Sequence, residues 1–181
     1  MIKVGIVGGT GYTGVELLRL LAGHPEVSLE IITSRSEKGM PVAELFPNLR
    51  GHIDLAFTEP DIDLLANCDL VFFATPHEFS AQWAQAFLDL GIKVFDLSGG
   101  FRLKNAEDYP RYYGFEHQFS DALAQAQYGL AEWQANEIAT TDLIAVPGCY
   151  PTASLLSLKP ITSNNLHSDA SLIVVNGISG V

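Results

Sequence analysis

One cysteine of this chain stands where a thiol can do chemistry. Cys149 lies in Val146-Pro147-Gly148-Cys149-Tyr150-Pro151-Thr152, after a short apolar run and ahead of a segment that reads as a helix. At a helix N-terminus the dipole and the unpaired N–H groups stabilise the thiolate, the nucleophilic form of cysteine. The same N–H groups can hold an oxyanion when sulfur attacks a carbonyl. Pro151 suits a first helical turn. A lone cysteine otherwise reads as a small buried hydrophobe. That reading fits Cys68, set between Asn67 and Asp69 at the start of an apolar strand. Two cysteines cannot form a disulfide framework, and no metal is expected.

A second pattern offers backbone rather than side chains. Gly8-Gly9-Thr10-Gly11-Tyr12-Thr13-Gly14 has the spacing G-x-x-G-x-x-G between a strand and a helix, where such a turn has mechanical meaning. Gly8 permits the turn, Gly11 lets backbone approach a pyrophosphate, and Gly14 lets the helix pack on the strand. The helix N-terminus offers N–H groups and its positive dipole end to phosphates. Tyr12 and Thr13, in that first turn, count with the three glycines as dinucleotide contacts. The second strand ends in Thr33-Ser34-Arg35, without the carboxylate that usually bonds the ribose 2′-OH of NAD. A hydroxyl from Ser34 and the planar fork of Arg35 suit a 2′-phosphate, so NADP(H) is the expected cofactor. Glu30 lies further back in the strand.

Thr75-Pro76-His77 and Asp96-Leu97-Ser98-Gly99-Gly100 follow the third and fourth strands, at the carboxyl ends where open sheets bind ligands. Thr75, Pro76 and Ser98 therefore read as contacts toward the nicotinamide end, and His77 as a helix cap. A cysteine used with a nicotinamide cofactor implies acyl chemistry at the aldehyde oxidation level. Sulfur attacks an activated acyl group, a thioester forms, hydride reduces it, and an aldehyde leaves. That chemistry needs a general acid or base. None of His24, His52, His77, His117 and His167 stands in a distinctive catalytic setting, and His167 reads as part of a surface turn.

The elements that must position these groups follow from periodicity. Strands are expected at Met1 to Val7, Val27 to Thr33, Asp69 to Ala74, Ile92 to Leu97, Leu143 to Val146 and Ser171 to Asn176. Helices are expected at Thr13 to Ala22, His77 to Leu90 and Pro151 to Leu158. Phe101 to Trp133 is mixed and aromatic. The alternation predicts an α/β fold, a Rossmann-type doubly wound parallel sheet over residues 1–148, with the start of a second α+β domain at 149–181.

Composition closes off other classes. Hydrophobic residues make up 48% of the 181, enough for a sizeable core. The formal charge of −11 argues against nucleic acid and anionic membrane as partners, and any anionic ligand must be held by local donors against the overall field. No apolar run reaches the roughly 20 residues of a membrane span. The N-terminus does not read as a signal peptide, and a cytoplasmic protein is expected.

Taken together, the chain resembles the N-acetyl-gamma-glutamyl-phosphate reductases, which perform the NADPH-dependent third step of arginine biosynthesis. The resemblance runs through Gly8–Gly14, Asp96-Leu97-Ser98-Gly99-Gly100-Phe101-Arg102, Tyr113-Gly114, Tyr128-Gly129-Leu130-Ala131-Glu132 and Pro147–Thr152. It implies that Cys149 is the nucleophile and that Arg102 borders a small acyl-phosphate substrate. It also implies a homo-oligomer in the full-length enzyme, and a catalytic histidine beyond Val181, so that the chain is read as a fragment. Many members carry Ala-Asp where this chain has Gly99-Gly100. Two other readings stay open: a related phosphorylating dehydrogenase of the aspartate or amino-adipate type, and a noncatalytic NADP-binding module. A short-chain dehydrogenase is set aside, because no tyrosine has a lysine four positions on.

Overall fold

The structure, a computed structural model, describes residues 1–168 and 172–178. It divides into two compact units, Met1–Val146 and Pro147–Val181.

The first unit is built on six strands: β1 (Ile2–Val7), β2 (Val27–Thr33), β3 (Leu70–Phe73), β4 (Lys93–Asp96), β5 (Gln127–Tyr128) and β6 (Leu143–Ala145). They form one sheet in the order β2-β1-β3-β4-β6-β5, and every pairing is parallel. Helices α1 (Tyr12–Leu21), α2 (Val42–Leu45), α3 (Ile62–Leu65), α4 (His77–Asp89), α5 (Tyr109–Tyr112), α6 (Ser120–Gln125) and α7 (Ala131–Thr140) connect them. The strands are short apolar runs because both faces of the sheet are covered. Successive residues of β1 feed opposite cores: Val7 packs with Val71, Phe73, Phe87 and Tyr109, while Ile6 packs with Leu18, Ile32 and Phe57. Period-two alternation thus divides one apolar strand between two layers.

The chain runs from β1 to β2 on one side and then crosses to β3 on the other side of β1. Order reverses there, and the carboxyl ends of β1 and β3 diverge into a crevice. Element positions follow the periodicity closely, and Val27–Thr33 coincides with the expected strand. The aromatic stretch after Phe101 resolves into short helices whose rings cover one face. Tyr109 is fully buried, and its hydroxyl both accepts from Leu103 N–H (3.1 Å) and donates to Leu103 O (3.3 Å).

The second unit contains α8 (Cys149–Ser163). It differs from expectation in two respects. The helix does not stop at Leu158 but passes through Pro160 to Ser163, because the fixed φ of proline is helical even though its missing N–H costs one ladder bond. Residues Leu172 to Ile178 adopt no strand, and Ser171 lies outside the described residues. A strand needs a neighbour for its N–H and C=O groups, and none is paired to this segment among the described residues.

Candidate functional site

The crevice at the reversal point holds a cavity of about 340 Å³. Three strand ends supply its walls: Gly8, Thr10 and Gly11 after β1, Thr33 to Ser36 after β2, and Ala74 to Pro76 after β3. Val7, Pro60 and Phe79 complete it. Six of the residues singled out from sequence (Gly8, Gly11, Ser34, Arg35, Thr75 and Pro76) are therefore brought together. No carboxylate lies in the lining, and Arg35 is its one charged group among the described residues.

The glycine turn owes its shape to close packing. Gly8 adopts φ +89°, and a Cβ there would sit 2.4 Å from Ala74 O. A Cβ on Gly14 would lie 2.6 Å from Gly8 O, so α1 can meet the strand end only without a side chain. Gly11 is the opposite case: nothing lies within 4 Å of the Cβ it lacks, leaving room for a ligand beside backbone. Val15 N–H is the first to bond within α1, to Gly11 O at 2.9 Å. The N–H groups of Tyr12, Thr13 and Gly14 therefore have no partner inside the helix. Tyr12 and Thr13 contribute no cavity wall, and the Tyr12 ring is exposed. Any contact they make with a phosphate is through these N–H groups.

At the β2 tip, Ser34 is buried and its hydroxyl accepts Glu37 N–H at 3.2 Å, with Ser36 Oγ at 3.3 Å. This turn leaves Arg35 and Ser36 exposed beside the cavity. Ser36 was not singled out from sequence, although its place two residues beyond Ser34 in a tight turn is a readable signal. Glu30 is exposed within β2 and accepts from Ser28 Oγ, away from the tip.

The β4 turn is of another kind. Asp96 is fully buried and accepts from Ser98 N–H and Ser98 Oγ–H, each at 2.9 Å. Burial raises the Asp96 carboxyl above the ordinary range, opposed first by its Ser98 bonds and last by the Arg102 charge. Ser98 Oγ accepts Gly100 N–H at 3.0 Å, so the hydroxyl is committed within its own turn and Ser98 lies outside the cavity lining. His77 does not cap α4; the N-cap is Pro76, and His77 Nδ1 accepts Gly99 N–H at 3.3 Å. Arg102 makes no ion pair with a carboxylate among the described residues. Its guanidinium donates to Leu97 O (2.7 Å) and Val146 O (2.8 Å), tying the turn to the ends of β4 and β6. A side chain at position 99 would occupy the place of the Tyr113 ring, whose Cε1 lies 2.1 Å from the Cβ position.

In the second unit, Cys149 is exposed and is the first residue of α8, whose N-cap is Gly148. Thr152 N–H and Oγ both donate to Gly148 O, at 3.0 and 2.9 Å, pinning this first turn. Cys68 is the contrast. It is 5% exposed, and burial, followed by Glu30 and Asp69, pushes its thiol up to about 11. Its thiolate is suppressed.

A doubly wound parallel sheet with a glycine turn and a crevice at its reversal point defines a dinucleotide-binding domain. Residues 3–141 match the family model described as semialdehyde dehydrogenase, NAD binding domain, and the chain belongs to that family. Within it, the chain is 52% identical over 180 residues to an N-acetyl-gamma-glutamyl-phosphate reductase of Cellvibrio japonicus, covering 99% of this chain and 51% of the relative. It is 55% identical over 182 residues to the reductase of the same name from Pseudomonas aeruginosa, covering 100% of this chain and 53% of the relative. The chain spans about half the length of the curated relatives it matches. Among solved structures, aspartate semialdehyde dehydrogenase II from Vibrio cholerae superposes with a TM-score of 0.63 at 20% identity, over 91% of this chain and 43% of that one. The Candida albicans aspartate semialdehyde dehydrogenase with NADP gives 0.59 at 19% identity, over 91% and 47%. These two establish the fold. Among the described residues, no helix is long and apolar enough to cross a membrane.

Proposed function

We propose that the protein carrying this chain reduces N-acetyl-gamma-glutamyl phosphate to N-acetylglutamate semialdehyde and phosphate with NADPH, and that residues 1–148 hold the cofactor while residues 149–181 open the catalytic domain. The observation that carries this reading is identity of 52–55% across 99–100% of the chain with reductases of that one name. The donor set fits the cofactor: the open backbone at Gly11 suits a pyrophosphate. Ser34, Arg35 and Ser36, in a lining without a carboxylate, suit a 2′-phosphate.

In this reading Cys149 Sγ attacks the γ-carbonyl carbon of the acyl phosphate. The C–O bond to phosphate breaks, phosphate leaves with the electron pair, and a thioester remains. Free N–H groups of the first turn of α8 stabilise the oxyanion that develops during attack. NADPH, when bound, supplies the hydride that takes the thioester to the aldehyde level. Arg102, tied to Leu97 O and Val146 O beside the β4 turn, is read as bordering the substrate. His77 and His117 are committed to that turn, so neither is assigned the general acid–base role. The enzyme is read as a cytoplasmic homo-oligomer.

The test is phosphate-dependent NADP⁺ reduction by the protein carrying this chain, with N-acetylglutamate semialdehyde against aspartate semialdehyde. The first is expected to be preferred. Cys149→Ser is expected to lower kcat roughly 10³-fold or more with NADPH affinity intact. Preference for the aspartyl substrate would overturn the substrate assignment. Iodoacetamide that labels Cys68 as fast as Cys149 would overturn the nucleophile assignment.

A further inference from the structure

The Gly99-Gly100 pair has no side chains of its own, yet three groups hold its backbone. Gly99 N–H donates to His77 Nδ1 at 3.3 Å, from the first residue of α4. Gly100 N–H donates to Ser98 Oγ at 3.0 Å. Gly100 O lies 2.9 Å from His117 Nε2, and Phe119 N–H donates to His117 Nδ1 at 3.3 Å. A carbonyl only accepts and a backbone N–H only donates, so one protonation state satisfies both contacts: neutral imidazole with its proton on Nε2. The surroundings favour that state. His117 is 7% exposed and packs against Tyr109 with ring centroids 4.5 Å apart, with Phe101 at 5.4 Å and Phe115 at 5.9 Å. Arg102 then closes the loop on its own start through Leu97 O.

We infer that His77 and His117 are a pair of positioning residues that grip the β4 turn from opposite ends, His77 as an acceptor at Gly99 N–H and His117 as a donor at Gly100 O. The two imidazoles come from positions 22 and 17 residues away in sequence. They do for the turn what its own glycines cannot, removing the conformational freedom that two adjacent glycines confer. His77 directly follows Thr75-Pro76 of the cavity wall, so the grip also fixes the β4 turn relative to the β3 end. If the dinucleotide reading holds, the turn so fixed is the floor for the nicotinamide end.

Side-chain ¹⁵N NMR on the wild-type chain is expected to show His117 protonated at Nε2 and bare at Nδ1. The opposite tautomer would overturn the assignment whether or not any variant folds. In amide exchange, His77→Phe is expected to speed Gly99 exchange roughly tenfold while Val71 and Val94 in the sheet are unchanged. His117→Phe removes the acceptor of Phe119 N–H and is expected to speed Phe119 exchange, and His117→Gln, whose amide can donate to Gly100 O, is expected to disturb the turn less. Unchanged Gly99 exchange, or an equal rise at every amide, would sink the clamp. A binding arm separates it from the dinucleotide reading: His77→Phe is expected to weaken NADPH several-fold and leave 2′,5′-ADP unaffected. Equal weakening of both would show a merely structural role. A wild-type chain that binds neither probe defeats the dinucleotide reading instead, and the exchange result alone then decides the clamp.

Discussion

The turns after β1 and β4 leave the same edge of one parallel sheet, yet they solve opposite problems. The β1 turn spends Gly9 N–H on Thr33 O at its start, but leaves the N–H groups at the start of α1 without helical partners, beside open space at Gly11. The β4 turn spends nearly everything internally, through Asp96, Ser98, His77, His117 and Arg102. Spacing alone shapes the first, because its constraint is where side chains must be absent. Distant side chains shape the second. A turn meant to receive a ligand leaves donors free, while one meant to stay still consumes them.

The largest expected effect breaks the first turn. Gly8→Ala forces a side chain onto a left-handed backbone and against Ala74 O, and is expected to cost roughly 2–4 kcal/mol in urea unfolding and to abolish NADPH binding. Wild-type stability in that variant would show that the turn can relax. Arg35→Gln is expected to weaken NADPH by roughly ten- to hundredfold, as for loss of a charged hydrogen bond, and to leave NADH nearly unchanged. Titration of both cofactors decides it, and equal losses would remove the 2′-phosphate role.

The second turn is expected to break more gently and with a pH signature. His117→Phe leaves Gly100 O without its donor, at roughly 1–3 kcal/mol. Burial holds the wild-type His117 pKa below its ordinary 6.5, against the opposing Gly100 bond. The unfolded chain therefore takes up the proton first as pH falls. The contribution is complete above about 6.5 and is lost as pH drops through the lowered folded value. Urea midpoints are expected to fall below pH 6.5 in the wild type and to fall less in His117→Gln. Parallel curves would absolve His117. The smallest effect sharpens the comparison at Gly99. The nearest atoms to a Cβ in Gly99→Ala all belong to the half-buried Tyr113 ring, a side chain and not backbone, so a loss of about 1 kcal/mol is expected, mostly recovered in Gly99→Ala/Tyr113→Ala. Additive losses in that cycle would mean the glycine is needed for something other than the ring.

This contrast also explains what the sequence disclosed. The β1 turn, β2 with its tip at Ser34-Arg35, and the cavity walls at Thr75-Pro76 were legible because each depends on neighbours in the chain. His77 read as a cap, and only the fold shows it reaching 22 residues forward to Gly99. His117 had no visible setting because its partners are backbone atoms that no motif encodes. The two-residue β5 exists only by pairing with β6, so periodicity had nothing to detect. Around Leu172 to Ile178 the apolar residues were real, but a strand is a relation between segments and not a property of one.

Arg102 has a last consequence, felt at a distance. Because it is tied to carbonyls and makes no ion pair among the described residues, it keeps a local positive charge at the strand ends of a chain whose net charge is −11. An approaching anion meets broad repulsion first and local attraction only within about a Debye length, near 10 Å at 0.1 M salt. Added salt screens the long-range barrier more effectively than the contact. Stopped-flow association of NADPH should therefore quicken with ionic strength while the bound state loosens, the reverse of ordinary steering.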